Sequence, residues 1–136
     1  MSGREIGDIG ETAAAKYLKR RGYKILSRNF SGAHGEIDII GLRFGALVLF
    51  EVKTRSNEKF GSPADAMTEE KLNNIKSAYR EFKRAYMPFG KLKYSSLFGK
   101  EKETRIKHIR IDGVAVYLEN KTVRKVEHIK NLEIIL

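Results

Sequence analysis

Gly35-Glu36-Ile37-Asp38-Ile39-Ile40-Gly41, followed closely by Leu47-Val48-Leu49-Phe50-Glu51-Val52-Lys53-Thr54-Arg55, is the stretch from which the fold can be argued. Both runs are short and rich in Ile, Val, Leu and Phe, and the Gly-containing segment from Gly41 to Ala46 joins them, so they read as paired strands. Side chains alternate faces along a strand. Glu36, Asp38 and Ile40 are therefore predicted on one face of the first, and Leu47, Leu49, Glu51, Lys53 and Arg55 on one face of the second. A symmetric hairpin sets Asp38 opposite Glu51 and Glu36 opposite Lys53, and a slip of register would move them. Three acids and a lysine then share one surface.

That grouping has a chemical reading. Mg²⁺ prefers oxygen ligands and keeps several of its waters, so two carboxylates can hold it and leave positions for a phosphate oxygen. A bound metal polarises the phosphate and favours a hydroxide nucleophile. A lysine two residues from a ligand on the same strand can orient or deprotonate the water and stabilise charge building on phosphorus. The alternative is a surface Glu-x-Lys pair of little energetic weight. The surrounding apolar residues favour the active-site reading, because unpaired charge among them is costly.

Upstream, Ile6, Ile9, Ala13 and Tyr17 recur at helical spacing and predict a helix from Gly7 to Arg21, stopped by Gly22. Glu11 borders that stripe beside Ala14 and Leu18. It either reaches the strand cluster or faces solvent. Tyr23 to Phe30 reads as a strand and Ser31 to Gly35 as a turn. Downstream, Leu72, Ile75, Tyr79, Phe82 and Tyr86 form one apolar stripe of a second helix, opening at Ser62-Pro63 or Thr68 and ending before Pro88 and Gly90. Residues 91 to 105 are expected to be a mobile loop. Ile106 to Glu119 and Thr122 to Val126 are expected strands. His34, His108 and His128 are too scattered for a metal cluster and read as surface or turn residues. Helix, three strands, helix and two strands make an α/β or α+β layered domain with helices on a mixed sheet.

The chain has 136 residues, 32% of them charged and 41% hydrophobic, which fits one soluble domain over residues 1–136. It has no cysteine, which excludes a disulfide framework and thiolate metal sites. Met1 to Glu5 carries no apolar leader and no apolar run reaches membrane-spanning length, so a cytoplasmic protein without a membrane partner is expected. The net charge is +10, and residues 71 to 110 hold 12 Lys or Arg against 3 Glu. Such a block suits a polyanion, and equally a solvated helix face followed by a basic loop.

Gly10-Glu11 with Ala14, Tyr17-Leu18 and Gly22, then Arg28-Asn29, Gly35 to Asp38, Phe50 to Arg55 and Arg110-Ile111-Asp112-Gly113-Val114 together resemble the YraN-like endonuclease family, in order from Arg4 to Leu118. The resemblance implies membership of the PD-(D/E)XK nuclease superfamily, similarity to archaeal Holliday junction resolvases, and a restriction-endonuclease-like fold with a central mixed sheet flanked by helices. It implies Mg²⁺ or Mn²⁺ as cofactor. Asp38 and Glu51 match the metal-binding acids, Lys53 the motif lysine, and Glu11 the first-helix acid of the resolvases, a further candidate for catalysis and metal binding. Ile37 stands where the motif has proline, Ile111 where the family has Phe, and residues 91 to 105 match nothing in it. Lys71, at a position where the family tends to carry Lys, and Arg55 are expected to contact a phosphate backbone without reading sequence.

The expected function is thus a Mg²⁺-dependent endonuclease acting on DNA, including branched DNA, in which case a homodimer would supply two cuts. A non-catalytic nucleic-acid-binding module of the same fold is the alternative. A subunit whose basic stretch binds an acidic protein is a third reading.

Overall fold

The computed structural model describes residues 3–56 and 67–136. Its elements in chain order are α1 (Gly3–Arg20), β1 (Lys24–Ser31), β2 (Glu36–Arg43), β3 (Ala46–Arg55), α2 (Glu69–Tyr86), β4 (Lys91–Ser95), β5 (Glu101–Arg105), β6 (His108–Glu119) and β7 (Thr122–Ile134). The main sheet has the order β1-β2-β3-β6-β7. It is mixed: β3 and β6 are parallel and the other neighbours antiparallel. The connection between the two parallel strands runs through α2, as a parallel pair requires.

The two faces of the sheet carry separate apolar clusters. Ile40, Leu42, Leu47, Leu49 and Ile111 pack under α2 with Ile75, Ala78, Tyr79 and Phe82. Ile39, Val48, Phe50, Val114 and Val116 pack under α1 with Ala14, Ala15 and Leu18. Central strands buried on both faces explain the unbroken apolar runs of β3 and β6. This is an α/β domain with a five-stranded mixed sheet flanked by helices, consistent with a restriction-endonuclease-like fold.

Several expectations need correction. The face of α1 that seats on the sheet is Gly10, Ala14, Ala15 and Leu18, whereas Ile6, Ile9, Ala13 and Tyr17 flank it half-buried. Small residues lie deepest because the backbone there comes close. A Cβ on Gly10 would stand 1.8 Å from the Thr54 Oγ1 of β3. The loop expected from Gly41 to Ala46 shrinks to the two-residue turn Phe44-Gly45, since β2 and β3 stay paired out to Arg43 and Ala46. Thr68 caps α2 by accepting a hydrogen bond from the Lys71 amide, while Ser62-Pro63 lies outside the described residues.

Residues 91 to 105 form the β4–β5 hairpin rather than a loop. Leu92 and Tyr94 pin it to the α2 cluster, while Leu97 and Phe98 at its tip are exposed. Strand β7 runs on to Ile134, well past Val126.

His128 is not a surface residue; its side chain is buried against Asp112, the one polar side chain in the core among the described residues. Asp112 is 0% exposed. Its Oδ2 lies 2.7 Å from His128 Nε2, its Oδ1 accepts from the Asn131 amide at 2.9 Å, and Arg110 Nε reaches Oδ1 at 3.0 Å. Arg110 in turn donates to the Tyr23 hydroxyl at 2.9 Å. The β6–β7 ladder is irregular here, between Ile111 and Gly113, and Asn131 adopts φ 60° to turn its amide inward.

Burial alone would raise the Asp112 pKa, but the hydrogen bonds from His128, Asn131 and Arg110 outweigh it and hold it below the usual carboxylate value. The carboxylate therefore stabilises the fold above its unfolded pKa, and that contribution fades as pH falls through the lower folded value. Asp112→Ala leaves three donors without an acceptor and is expected to cost roughly 3–5 kcal/mol. Urea unfolding at neutral pH measures this, and a loss under about 1 kcal/mol would show that the network carries little of the stability.

Candidate active site where the sheet forks

Strands β2 and β3 pair from Arg43–Ala46 to Ile39–Phe50 and part beyond that, while β3 stays paired with β6 out to Arg55. The register continued by one residue brings Asp38 beside Glu51, as symmetric closure predicts. Past the fork the Val52 amide has lost its strand partner, and it donates to Asp38 Oδ2 at 2.8 Å. The burial of β3 changes at the same point, from buried through Phe50 to half-buried from Glu51 onward.

Strict alternation fails across Asp38. Ile37 joins the cluster under α2, while Ile39 joins the one under α1. Between the pairs Arg28–Ile39 and Phe30–Ile37 stand Asp38 and, on β1, Asn29 at φ 54°, a left-handed residue that kinks the edge strand. Glu36 is exposed at the start of β2 and does not join the cluster that alternation assigned it to.

Along β3 alternation holds, and Glu51 and Lys53 fall on the α2 side with Leu47 and Leu49. Lys53 Nζ lies 3.3 Å from Glu51 Oε1, and Lys71 Nζ, from the first turn of α2, lies 3.9 Å from the same oxygen. Glu11 approaches from the α1 side with its side chain 13% exposed, and Arg28 Nε sits 3.4 Å from it. The fork thus gathers Asp38, Glu51, Lys53 and Lys71. Arg55 is close enough to act on the charge of Lys71, and Glu11 on that of Asp38.

The electrostatics are those of crowded like charges. Burial, then the Glu51 carboxylate, raise the Asp38 pKa from 3.8 to about 7, although the Val52 amide works the other way. Lys53 is buried enough to disfavour its charge, but Lys71, Glu51 and Asp38 outweigh this and hold it above the usual lysine value. Lys71 moves down, chiefly through Lys53 and then burial. Lys53 and Lys71 face the same Glu51 oxygen, and the upward direction of the Lys53 shift suits a charge-stabilising role.

Two adjacent carboxylates that resist ionising together are a donor pair in need of a cation. Among the described residues no three His, Cys, Asp or Glu side chains come together as a full cage. Such a pair fits Mg²⁺ or Mn²⁺, which keep water in their remaining positions, better than Zn²⁺, which takes several nitrogen or sulfur ligands. A concavity of about 770 Å³ between β1, the end of α2 and the β4–β5 hairpin does not include these residues.

Three residues quoted as motif positions in the sequence had no role assigned to them there. Gly10 seats α1 against Thr54, Asn29 kinks β1 opposite Asp38, and the buried Asp112 network ties β6 to β7. The signal for the last was a lone Asp within Ile, Val and Ala.

Because the folded Asp38 carboxyl keeps its proton to about pH 7 and the unfolded one releases it near 3.8, this group weakens the metal-free fold as pH rises across that window. Asp38→Asn is expected to stabilise the metal-free protein at pH 7.5 by on the order of 1–2 kcal/mol. The gain should vanish toward pH 4, as thermal melts in chelator would reveal; a gain independent of pH would exclude the cause given. Gly10→Ala is expected to cost about 1–3 kcal/mol through the Thr54 collision, and Thr54→Gly should recover part of it in the double variant. Simple additivity in chemical denaturation would refute the collision.

The family model described as uncharacterised protein family UPF0102 matches residues 10–116, a span that includes the fork, Lys71 and Asp112. The chain is 38% identical over 109 residues to a UPF0102 protein of Syntrophomonas wolfei, covering 78% of this chain and 95% of that one. It is 36% identical over 121 residues to a UPF0102 protein of Dictyoglomus turgidum, covering 89% of each. A UPF0102 protein of Caldanaerobacter subterraneus is 35% identical over 128 residues, covering 93% of this chain and 92% of that one. The chain belongs to the UPF0102 family, the YraN-like proteins whose motifs it carries.

Proposed function

We propose that the protein is a divalent-metal-dependent endonuclease of the PD-(D/E)XK superfamily, similar to archaeal Holliday junction resolvases, which hydrolyses phosphodiester bonds in cytoplasmic DNA, branched DNA included. The observation that carries this reading is the Asp38–Glu51 pair at the sheet fork, where burial and then the neighbouring carboxylate lift the Asp38 pKa to about 7, with Lys53 3.3 Å from Glu51. Strongly shifted groups with a specific charge partner mark functional sites more often than structural ones.

In this reading Asp38 and Glu51 hold Mg²⁺ or Mn²⁺, with Glu11 near enough to bias the pair. The bound ion supplies Lewis acidity toward a phosphate oxygen and a more acidic water. The Val52 amide fixes one Asp38 oxygen, so the carboxyl group is oriented before any ligand arrives. Lys53, held protonated, offsets the negative charge that grows on the phosphoryl oxygens. Lys71 and Arg55, beside the fork, bind the phosphate backbone and position it.

One observation favours a non-catalytic nucleic-acid-binding module instead. Glu11 is engaged with Arg28, and the described residues provide two carboxylates at the fork rather than three. Incubation with linear, single-stranded and four-way-junction DNA in Mg²⁺ or Mn²⁺ separates the two. We expect metal-dependent cutting that Asp38→Asn abolishes and Lys53→Ala slows about 10²–10³-fold. Binding without cutting on every substrate would leave the module.

A further inference from the structure

A second concentration of cations lies on the α1 side of the sheet, at the other end of β2. A groove of about 620 Å³ is walled by Tyr17, Arg20, Arg21, Tyr23, Arg43 and Lys130, among other residues, with no carboxylate in its lining. None of these four cations forms an ion pair among the described residues, whereas Arg28, Arg110 and Arg124 each face an acid. Aromatic rings hold two of them instead. The Arg21 guanidinium carbon sits 4.4 Å from the Tyr17 ring centre, and that of Arg43 lies 5.5 Å from Tyr23 and 5.2 Å from Phe44. Stacking of this kind orients a guanidinium without neutralising it. The Nε of Arg43 is buried and has no hydrogen-bond partner among the described residues.

Phe44 is an independent anomaly beside that groove. It is the first residue of the turn Phe44-Gly45, and both residues are left-handed, with φ 46° and 78°. Two-residue hairpin turns of this kind favour Asn-Gly. A bulky residue there is strained, and Phe44 is 89% exposed, so no burial offsets the strain. Neither turn geometry nor core packing accounts for a phenyl ring at this position. An exposed aromatic face next to unpaired guanidiniums is the combination that binds unpaired nucleic acid, the ring stacking a base and the cations tracking phosphates.

The groove lies at the far end of β2 from the fork, on the α1 face of the sheet. Asp38 and Arg43 are separated along that strand by roughly 17 Å at about 3.3 Å per residue. Helix α1 spans the same interval, with Glu11 toward the fork and Arg20 at the groove.

We propose that this groove is a second nucleic-acid contact, which takes an unpaired strand, its phosphates against Arg20, Arg21, Arg43 and Lys130 and a base stacked on Phe44. The proposal rests on the reading that the protein acts on nucleic acid, but not on catalysis.

Fluorescence anisotropy of a labelled oligothymidylate and of a blunt duplex, in chelator and over a range of salt, tests it. Phe44→Asn relieves the turn, so its melting temperature should rise while its affinity for the single strand falls about tenfold; Phe44→Tyr should retain binding. Arg43→Gln with Lys130→Gln should lower the slope of log affinity against log salt by about 1.4, at ~0.7 per phosphate contact on single strands. Blunt-duplex binding should change little in either variant. Unchanged single-strand affinity in both variants overturns the proposal. So does competition by polyglutamate as effective as by DNA, which assigns the groove to an acidic protein, or by inorganic phosphate at low concentration, which makes it a small-anion site. If the wild type cuts nothing yet single-strand binding depends on Phe44 and Arg43, the nuclease reading fails and this one stands. If cutting is normal and the variants bind like the wild type, this one alone fails.

Discussion

The hydrogen bond from the Val52 amide to the Asp38 carboxylate is the contact on which the site depends. A β-sheet cannot open between two strands without leaving backbone donors unpaired, and a buried unpaired amide is expensive. Asp38 meets that need at the point where β2 leaves β3, so the side chain that terminates the ladder also presents its other oxygen beside Glu51. The site therefore requires no loop to build it. Glu51 and Lys53 continue on β3, whose other edge remains tied to β6 up to Arg55, and that pairing gives them a rigid base. Helix α1 can come down on this strand because Gly10 has no side chain to hold it off Thr54.

Two aspartates in this chain are withdrawn from water and meet opposite fates. Asp112 is surrounded by donors from β6 and β7 and stays ionised, lowered despite its burial. Asp38 has one amide, and its nearest charged neighbour is another carboxylate, so it is raised. The first arrangement is complete as it stands, and its role is to lock the β6–β7 bulge against Tyr23 through Arg110. The second is balanced only when positive charge is added. Burial is common to both, and the identity of the neighbours decides which carboxylate stabilises the fold and which is left poised.

The central hairpin was legible from residue order because its two runs are separated by few residues and only one register buries both faces. Closing the hairpin on Phe44-Gly45 keeps that register, because the ladder from Arg43–Ala46 to Ile39–Phe50 continued by one residue sets Asp38 opposite Glu51. Features that depend on distant chain segments were not legible. The stripe of Ile6, Ile9, Ala13 and Tyr17 maximises side-chain hydrophobicity, but helix–sheet contact is decided by how near the backbones come, and that selects Gly10 and Ala14. His128 carries no local sign of burial, and only its partner, sixteen residues earlier in the chain, draws it inward. The β4–β5 segment is polar enough to read as loop, and its order comes from Leu92 and Tyr94 reaching a helix that the local pattern does not encode. Alternation fails across Asp38, where the left-handed Asn29 stands on the neighbouring strand, and a positive φ at Asn29 has no signature in a period-two pattern.

The parallel pairing of β3 with β6 has a consequence for how the chain reaches this state. The β1–β2–β3 meander and the β6–β7 hairpin are each closed by short connections and can form early at little entropic cost. The ladder that unites them begins at Ala46 and His108, with all of α2 and the β4–β5 hairpin lying between. Its closure brings together distant parts of the chain before most of the apolar surface is buried, which makes it the slow step in sheet assembly. Glu51 and Lys53 lie on one side of that late seam and Asp112 on the other. The charged cluster at the fork thus takes its final form only when the two halves join, and a partly folded chain would carry these residues without the architecture that makes Asp38 hold its proton.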